Sequence, residues 1–246
     1  MDKYGIIGYP LGHSFSRGFF TEKFAREGID AQYINFEIPD ARMLCDVLCN
    51  NPELRGLNVT LPHKQAVIPM LDELSDEARE IGAVNVIKCT INNGQWTMKG
   101  FNSDIIGFTE SIKPLLQPHH KKALVLGTGG ASKAICVGLT HLGLMWKYVS
   151  RTPRKGIITY EDITSETLQE YTVIVNCSPV GMFPKVDTAP AIPYGCLTSR
   201  HLLFDCVYNP EDTLFMQKGR KQGATVKNGL EMLHLQAVAS WHFWNT

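Results

Sequence analysis

The chain lacks an excess of either charge. Its 246 residues include 24 lysines and arginines and 24 aspartates and glutamates, so the formal net charge is zero. Nucleic acids and acidic membranes are bound through a basic excess that meets phosphates and releases counterions. The composition therefore argues against nucleic acid and membrane as main partners and favours a small-molecule substrate. No apolar run approaches the length of a membrane span.

Paired cysteine motifs and a leader-like segment are also missing. Seven cysteines without a Cys-x-x-Cys pair indicate neither a disulfide framework nor a thiolate zinc site, so no metal is predicted. The first apolar run is broken at Gly8, Pro10 and His13, which makes it too short for a signal peptide. We expect a cytoplasmic protein with reduced thiols, either a monomer or a homodimer, and we interpret His13 as structural.

Short apolar runs alternate with helix-like segments over the first hundred residues, which predicts parallel strands covered by helices. The predicted strands are 4–8, 32–36 and 56–60, and the predicted helices are 16–27 and 41–49. Residues 84–101 form a predicted hairpin, because Asn93-Gly94 supplies the positive φ angles that its turn requires.

A second pattern begins at 123–126, where a buried-strand run enters a glycine-rich turn, Gly127 to Ser132, and then a helix to about Leu142. Further strands are predicted at 147–150, 172–176 and 202–205, and a long amphipathic helix follows Gly229. Glycines between a strand and a helix let backbone amides approach a pyrophosphate at the helix start. We therefore predict a dinucleotide-binding domain.

The cofactor choice is indicated by the residues after the second strand of that domain. NAD-selective sites place a carboxylate there, whereas this chain has Ser150 and Arg151 followed by Arg154 and Lys155. Arginine can fork onto a phosphate and stack on adenine. The basic loop thus predicts recognition of a 2′-phosphate, and hence NADP.

The segment from Asn58 to Lys64 ends an apolar run with polar side chains and then places a lysine near Pro62, which favours the first turn of a helix. A lysine at the positive end of a helix dipole is a candidate proton donor and acceptor. Asp104 follows the hairpin, and if it faces Lys64 the two form a proton-transfer pair.

Two serines follow the first strand. As alternate residues of an extended segment, Ser14 and Ser16 would point the same way and suit a carboxylate or a polyol. Ser16 is also a candidate helix N-cap, and the two roles do not exclude each other.

In chain order these motifs resemble the shikimate dehydrogenases, and the resemblance covers nearly the whole chain. It is carried by Ser14-Phe15-Ser16, Asn58 to Lys64, Gly82 to Asn85, Asn102-Ser103-Asp104, Gly127 to Ser132, Ser150-Arg151-Thr152, Asn176 to Met182, and Asn228-Gly229 with Gln236.

The resemblance implies NADPH-dependent reversible reduction of 3-dehydroshikimate to shikimate, in chorismate and aromatic amino-acid biosynthesis. It implies an α/β fold of two domains: a substrate domain with a mainly parallel sheet at 1–103, completed by a C-terminal helix within 229–246, and a Rossmann-like NADP domain at 104–228. Lys64 and Asp104 match the catalytic pair. The substrate positions are matched by Ser14, Ser16, Asn58, Thr60, Asn85, Tyr208 and Gln236. The cofactor positions are matched by Gly127, Gly129, Gly130, Ala131, Ser132, Ser150, Arg151, Thr152, Cys206 and Gly229.

The chain departs from the family pattern at single residues and in two segments. It has Arg17 where the family has proline, Ile105 where the family has glycine, and Ser103 where the family has threonine. Only a short link joins the second and third strands of the NADP domain. We expect that this link, followed by a strand at 157–160, cannot be a parallel crossover, because such crossovers need about a dozen residues. The helix containing Gln236 is also not followed by the further helix usual in the family.

Three other functions remain open. A quinate/shikimate dehydrogenase of relaxed specificity often uses NAD, which Arg151 without a nearby carboxylate argues against. A methylenetetrahydrofolate dehydrogenase would share the layout and a cleft lysine, but not the serine pair together with Asn85 and Asp104. A non-catalytic sensor of shikimate or nucleotide would have no need of a proton-transfer pair.

Overall fold

The computed structural model describes residues 1–12 and 14–246, so His13 lies outside the described residues and its interpretation stays a prediction. The chain divides into two compact units, Met1–Ser103 with Gln236–Thr246, and Asp104–Leu235. The sequence prediction has the chain return to the first domain at residue 229, whereas the compact unit resumes at Gln236. The predicted limits concern domains that fold separately, and they stay a prediction.

The first unit is built on a six-stranded, mainly parallel sheet with the order β2-β1-β3-β5-β6-β4. The central strand β1 pairs in parallel with β2 and β3, whereas β5 is antiparallel to β3 and β6. The strands are β1 Asp2–Gly8, β2 Ala31–Glu37, β3 Leu54–Val59, β4 Glu73–Leu74, β5 Val86–Asn92 and β6 Gln95–Phe101. The hairpin prediction is confirmed: the turn between β5 and β6 has φ +50° at Asn93 and +77° at Gly94.

Helices of the first unit pack on this sheet. They are α1 Phe15–Glu27, α2 Leu44–Cys49 and α3 Asp76–Ile81, with 3₁₀ turns at Ala41–Met43 and Ile68–Met70. Rings of α1, β1, β2 and the C-terminal helix pack in one buried aromatic cluster, in which Phe20 stacks on Tyr33 with centroids 4.9 Å apart. Trp244 joins this cluster and donates its indole N–H to the Ile87 carbonyl at 3.1 Å.

The helix predicted to start at Pro62 is absent. Residues 61–67 form successive turns, and regular helical geometry begins only with the short 3₁₀ segment at Ile68. Their backbone bonds mix spans: Val67 N–H donates to the His63 carbonyl, whereas Ile68 N–H donates to the Gln65 carbonyl. A macrodipole requires several aligned peptide units, so the helix-dipole argument for Lys64 does not hold.

The second unit contains a fully parallel sheet with the order β12-β11-β10-β7-β8-β9. Its strands are β7 Lys122–Leu126, β8 Met145–Ser150, β9 Ile158–Thr159, β10 Val173–Asn176, β11 Leu202–Asp205 and β12 Thr225–Lys227. Its helices are α4 Asp104–Ile112, α5 Gly130–His141, α6 Ser165–Glu170, α7 Leu214–Lys221 and the start of α8 Leu230–Asn245, with 3₁₀ turns at Lys113–Leu115, Tyr160–Asp162 and Tyr194–Cys196.

Both faces of this second sheet are buried. Val125 belongs to one apolar cluster, whereas its neighbours Leu124 and Leu126 belong to the other. Successive side chains of a strand point to opposite faces, so two buried clusters mean helices on both sides. With β7 as its first strand, the order is 3-2-1-4-5-6, that of a Rossmann fold. The predicted two-domain α/β fold class is confirmed.

The link after β8 contradicts the expectation from its length. Residues 151–157 contain no helix, yet β9 pairs in parallel with β8, Val149 opposite Ile158 and Ser150 opposite Thr159. The link suffices because β9 is two residues long and pairs only with the last residues of β8. The chain therefore does not run back along the whole strand, as a full crossover must.

Candidate active site

The glycine-rich turn of the second unit connects β7 to α5. Gly127 has φ +103°, and a Cβ there would lie 3.3 Å from the Ser178 backbone nitrogen, so only glycine fits without adjustment. Gly129 is the N-cap of α5 and supplies no side-chain bond to the first turn. The first amides of a helix have no intrahelical acceptor, so this start is suited to an anion.

A cavity of about 420 Å³ lies at this turn. It is placed where Rossmann folds bind nucleotides, at the carboxyl ends of β7, β8 and β10, where the strand order reverses. The lining residues are Gly127, Thr128, Gly129, Val149, Ser150, Arg151, Tyr160, Cys177, Ser178, Pro179, Val180, Ala189, Pro190 and Ala191.

Four predicted cofactor residues, Gly127, Gly129, Ser150 and Arg151, thus line one cavity. Gly130, Ala131 and Ser132 form the adjoining first turn of α5. Thr152 lies next to the cavity residue Ser150 and donates its N–H to that side chain at 3.2 Å. The residues present fit a dinucleotide: an uncapped helix start for the pyrophosphate, and a guanidinium beside β8 for a 2′-phosphate.

Cys206 and Gly229 contact each other and are not among the residues that line that cavity. A Cβ on Gly229 would lie 2.3 Å from the Cys206 carbonyl oxygen, and Gly229 N–H donates to the Val207 carbonyl at 3.2 Å. Cys206 is linked to the cavity through Cys177, whose sulfur lies 4.0 Å from the Cys206 sulfur. Burial raises the pKa of the Cys177 thiol well above its usual range, so this thiol stays protonated.

The first unit contains a polar network at the carboxyl end of β3. The Tyr33 hydroxyl donates to Asn58 Oδ1 at 2.7 Å, and Asn58 Nδ2 donates to Ser240 Oγ at 3.0 Å. Ser103 Oγ lies 3.2 Å from Ser240 Oγ and 3.3 Å from Gln236 Oε1. Three of the predicted substrate residues belong to this network: Asn58, Asn85 and Gln236.

Asn85 is the residue before β5, and it joins the network through hydrogen bonds with Ser103. Its Oδ1 accepts from the Ser103 N–H at 2.6 Å, and its Nδ2 donates to Ser103 Oγ at 3.0 Å. Both residues are buried, so the paired bonds satisfy groups that would otherwise be costly to enclose. Ser103 therefore ties the Asn85 amide to the C-terminal helix.

The two serines after β1 differ in their surroundings. Ser14 is the N-cap of α1 and accepts from the Arg17 N–H at 3.4 Å, so the N-cap assignment of Ser16 is wrong. Ser16 lies within the first helical turn, near enough to Tyr33 for its side chain to lower the pKa of that hydroxyl, against the larger rise caused by burial. The two serines are therefore not alternate residues of one extended segment, because the helix begins at Phe15, between them.

Lys64 lies beside Val84 and Asn85. The Lys64 carbonyl accepts from the Val84 N–H at 2.7 Å, and the Val59 N–H donates to the Asn85 carbonyl at 2.8 Å. Thr60 follows β3 directly, and its N–H donates to the Ile7 carbonyl. These backbone bonds hold the predicted catalytic lysine in the same part of the first unit as the polar network.

Asp104 and Tyr208 belong to the second unit. Asp104 is buried as the first residue of α4, and Tyr208 is 41% exposed in the loop after β11. Their roles as catalytic and substrate-binding residues stay predictions, as does the pairing of Asp104 with Lys64.

Several site residues were missed by the sequence analysis. The motif after β10 was noted only as a resemblance, yet Cys177 to Val180 line the nucleotide cavity. Ser240 follows Gln236 by four residues and could have been found from helical spacing. Tyr33 carries no such signal, because an aromatic residue in a strand is typical of the core. Tyr160 and residues 189–191 reach the cavity only through tertiary folding.

Among residues 1–12 and 14–246, no group of three or more His, Cys, Asp and Glu side chains could hold a metal ion. Within the same residues, no helix has the length and apolar character needed to cross a bilayer.

The fold and the cavity define a two-unit α/β protein of the dinucleotide-binding class. The family described as the shikimate dehydrogenase substrate binding domain matches residues 6–87. The chain is 34% identical to the shikimate dehydrogenase (NADP(+)) of Desulforamulus reducens, over 98% of this chain and 88% of that protein. The chain belongs to the shikimate dehydrogenase family.

Solved structures agree with this assignment. Shikimate dehydrogenase from Aquifex aeolicus matches with a TM-score of 0.85 and 33% identity, over 99% of this chain and 92% of that chain. The enzyme from Thermus thermophilus, in complex with NADP(H) and shikimate, matches with a TM-score of 0.85 and 29% identity, over 99% and 93% of the two chains.

Proposed function

We propose that this protein catalyses the NADPH-dependent reversible reduction of 3-dehydroshikimate to shikimate, a step of chorismate and aromatic amino-acid biosynthesis. The single observation that carries the proposal is the polar network of the first unit, which assembles Asn58, Asn85 and Gln236 from three distant parts of the sequence. Family membership supports it, because the relatives are shikimate dehydrogenases that use NADP(+).

The network suits a small polyhydroxylated acid. Its amides and hydroxyls both donate and accept hydrogen bonds, as ring hydroxyls do, and Ser14 at the start of α1 adds a hydroxyl and first-turn amides for a carboxylate. Thr60 and Tyr208 complete the proposed substrate set.

NADP is the proposed cofactor. Arg151 lines the cavity beside Ser150 at the end of β8, where the ribose of a bound dinucleotide lies in Rossmann folds, and the residues from Ser150 to Lys155 include no carboxylate. When bound, NADPH supplies the hydride for the ring ketone.

Lys64 is proposed to hold the ketone oxygen by a hydrogen bond and to give it a proton as negative charge develops there. Asp104 is proposed to orient the ammonium group and to let the lysine exchange its proton in both directions of the reaction. The amide and hydroxyl network would fix the ring so that the ketone meets Lys64, which is a positioning effect.

The proposal is tested by adding shikimate with NADP to the purified protein and following the absorbance of the reduced nicotinamide. We expect turnover with shikimate that quinate does not match and that NAD does not support equally. Lys64→Ala should lower kcat by roughly 10²- to 10⁴-fold with little change in KM for shikimate.

Lys113→Ala, which removes an exposed lysine outside the site, is the matched control and should leave kcat unchanged. A Lys64→Ala variant that retains more than about a tenth of wild-type turnover removes Lys64 from the mechanism. Equal turnover of quinate would favour the enzyme of relaxed specificity. Shikimate binding without turnover would favour the sensor.

A further inference from the structure

We propose that Tyr33 and Ser240 are positioning residues for substrate: they clamp the Asn58 side-chain amide from both ends and thereby fix which of its atoms accepts and which donates. The inference rests on the proposed function, because it takes Asn58 as a substrate-binding residue. Neither Tyr33 nor Ser240 belongs to the substrate positions that the family resemblance implies.

The oxygen end of the amide is held by Tyr33. The Tyr33 ring is 4% exposed, and burial raises the pKa of its hydroxyl well above the usual range, so the phenol keeps its proton. The phenol donates this proton to Asn58 Oδ1 at 2.7 Å. Tyr33 is therefore the donor and Asn58 Oδ1 the acceptor at this end of the amide.

The nitrogen end is held by Ser240 of α8, which is fully buried. Ser240 Oγ donates its only proton to the Gln236 carbonyl at 2.8 Å, four residues earlier in the helix. It can therefore only accept from Asn58 Nδ2, at 3.0 Å. An amide flipped by 180° would turn its nitrogen to the Tyr33 proton and its oxygen to a serine oxygen with no proton left to give, and both bonds would be lost.

The clamp leaves a defined pattern for a ligand. Oδ1 keeps its second lone pair, and the second N–H of Asn58 has only a long contact, 3.5 Å, to the Asn85 carbonyl. A ring hydroxyl of a ligand can donate to Asn58 Oδ1 or accept from Asn58 Nδ2, and it finds the amide in this one orientation each time it binds. Without the clamp, two amide orientations compete, and the competent fraction of the protein falls.

A double-mutant cycle tests the inference. Tyr33→Phe and Ser240→Ala each remove one oxygen, and each should raise KM for shikimate about 3- to 15-fold, while kcat and KM for NADP change less than about twofold. In an Asn58→Ala background the same substitutions should add less than about twofold, because they act through Asn58. Equal effects with and without Asn58 would overturn the proposal.

Matched controls separate positioning from packing. Ser111→Ala removes a fully buried helical hydroxyl that donates to the Phe108 carbonyl, and Tyr4→Phe removes a phenol oxygen from the same aromatic cluster as Tyr33. Both controls should leave KM for shikimate unchanged. If they raise it as much as Ser240→Ala and Tyr33→Phe do, the effect is one of general stability and the proposal is wrong.

A second readout needs no substrate. The Asn58 side-chain amide hydrogens, assigned by their loss in Asn58→Ala, should exchange with solvent at least about tenfold more slowly than those of the exposed Asn93. Ser240→Ala and Tyr33→Phe should each speed the exchange of Asn58. Exchange as fast as that of Asn93 in the wild type would overturn the clamp. Wild-type protein that shows this protection but does not oxidise shikimate would contradict the proposed function instead.

Discussion

Asp205, at the end of β11, is a carboxylate in the protein interior whose pKa is raised. It is fully buried and accepts from Asn176 Nδ2, Thr213 Oγ1 and the Val207 N–H. Burial nevertheless raises its pKa from 3.8 to about 6. The folded protein thus holds this proton more tightly than the unfolded chain, so the contribution to stability is largest below about pH 4 and is lost as the pH rises through 6.

We expect this group alone to lower the free energy of unfolding by about 2.4 kcal/mol between pH 4 and pH 7. Asp205→Asn should remove that slope, and it should destabilise the protein at every pH because an amide nitrogen would face donors. Denaturant unfolding at several pH values measures both. A wild-type-minus-variant difference that does not change with pH would contradict the raised pKa.

Ser14 and Ser16 should respond differently to removal of the hydroxyl. Ser14→Ala removes the α1 N-cap bond, so we expect both a loss of about 1 kcal/mol of stability and a higher KM for shikimate. Ser16→Ala should raise KM with a smaller change in melting temperature, because Ser16 caps nothing. Melting curves and steady-state kinetics on both variants decide. A Ser14 variant with normal kinetics would make Ser14 a cap only.

Arg151 should set the choice of cofactor. Arg151→Ala should raise KM for NADP about tenfold or more and leave KM for NAD nearly unchanged, because only NADP carries the 2′-phosphate. Arg154 and Lys155 lie in the same loop and can reduce the loss. KM for both cofactors in wild type and variant is the measurement. Equal losses would mean that Arg151 stacks on adenine or supports the fold.

At the scale of elements, the contact between β3 and α8 depends on a residue without a side chain. A Cβ on Gly56 would lie 2.2 Å from the Trp244 ring, whereas a Cβ on Gly18 of α1 meets nothing within 4 Å. Gly56 therefore lets the indole lie against the strand. The same substitution should have opposite effects at the two sites.

We expect Gly56→Ala to destabilise the protein by about 1–3 kcal/mol, because the indole must move and strain its bond to the Ile87 carbonyl. Gly18→Ala should stabilise it by about 0.4–1 kcal/mol, since alanine favours the helix. Chemical denaturation compares the two. Similar losses in both variants would argue against close packing at Gly56.

The β8–β9 link shows which part of an element the sequence does not determine. The number of residues excluded a helix between the strands, and the structure has none there. It did not exclude parallel pairing, because pairing depends on where β9 meets β8, at Val149 and Ser150 near the strand end. The register is a tertiary property.

At the scale of the whole molecule, the limits of the two domains can be tested by truncation. Met232 belongs to the buried apolar cluster of the second unit, although the predicted domain ends at residue 228. We expect a fragment of residues 104–235 to have a higher melting temperature than one of residues 104–228, because only the longer fragment buries Met232. Circular dichroism on both fragments is the measurement.

Equal melting temperatures of the two fragments would support the predicted limit at 228. Failure of both to fold would mean that the second unit needs the rest of the chain, and the prediction of separately folding domains would then be wrong.

The sequence by itself determined the elements with strong local signals: the alternation of strands and helices, the Asn93-Gly94 hairpin and the glycine-rich turn after β7. Their periodicity and turn chemistry act within a few residues, so no distant contact is needed to form them. The order of the motifs also indicated the family. Prediction from local pattern failed where the local preference was weak, as at Pro62, where turns replace the predicted helix.

Only the tertiary structure decided which side chains meet. Asn58 and Ser240 are 182 positions apart, and Tyr33 joins them from β2, an element that the sequence marks only as apolar. The hydrogen bonds of the network exist because the sheet and α8 enclose these groups, and burial makes each unpaired donor or acceptor costly. That cost is a property of the folded interior, and no local pattern of residues contains it.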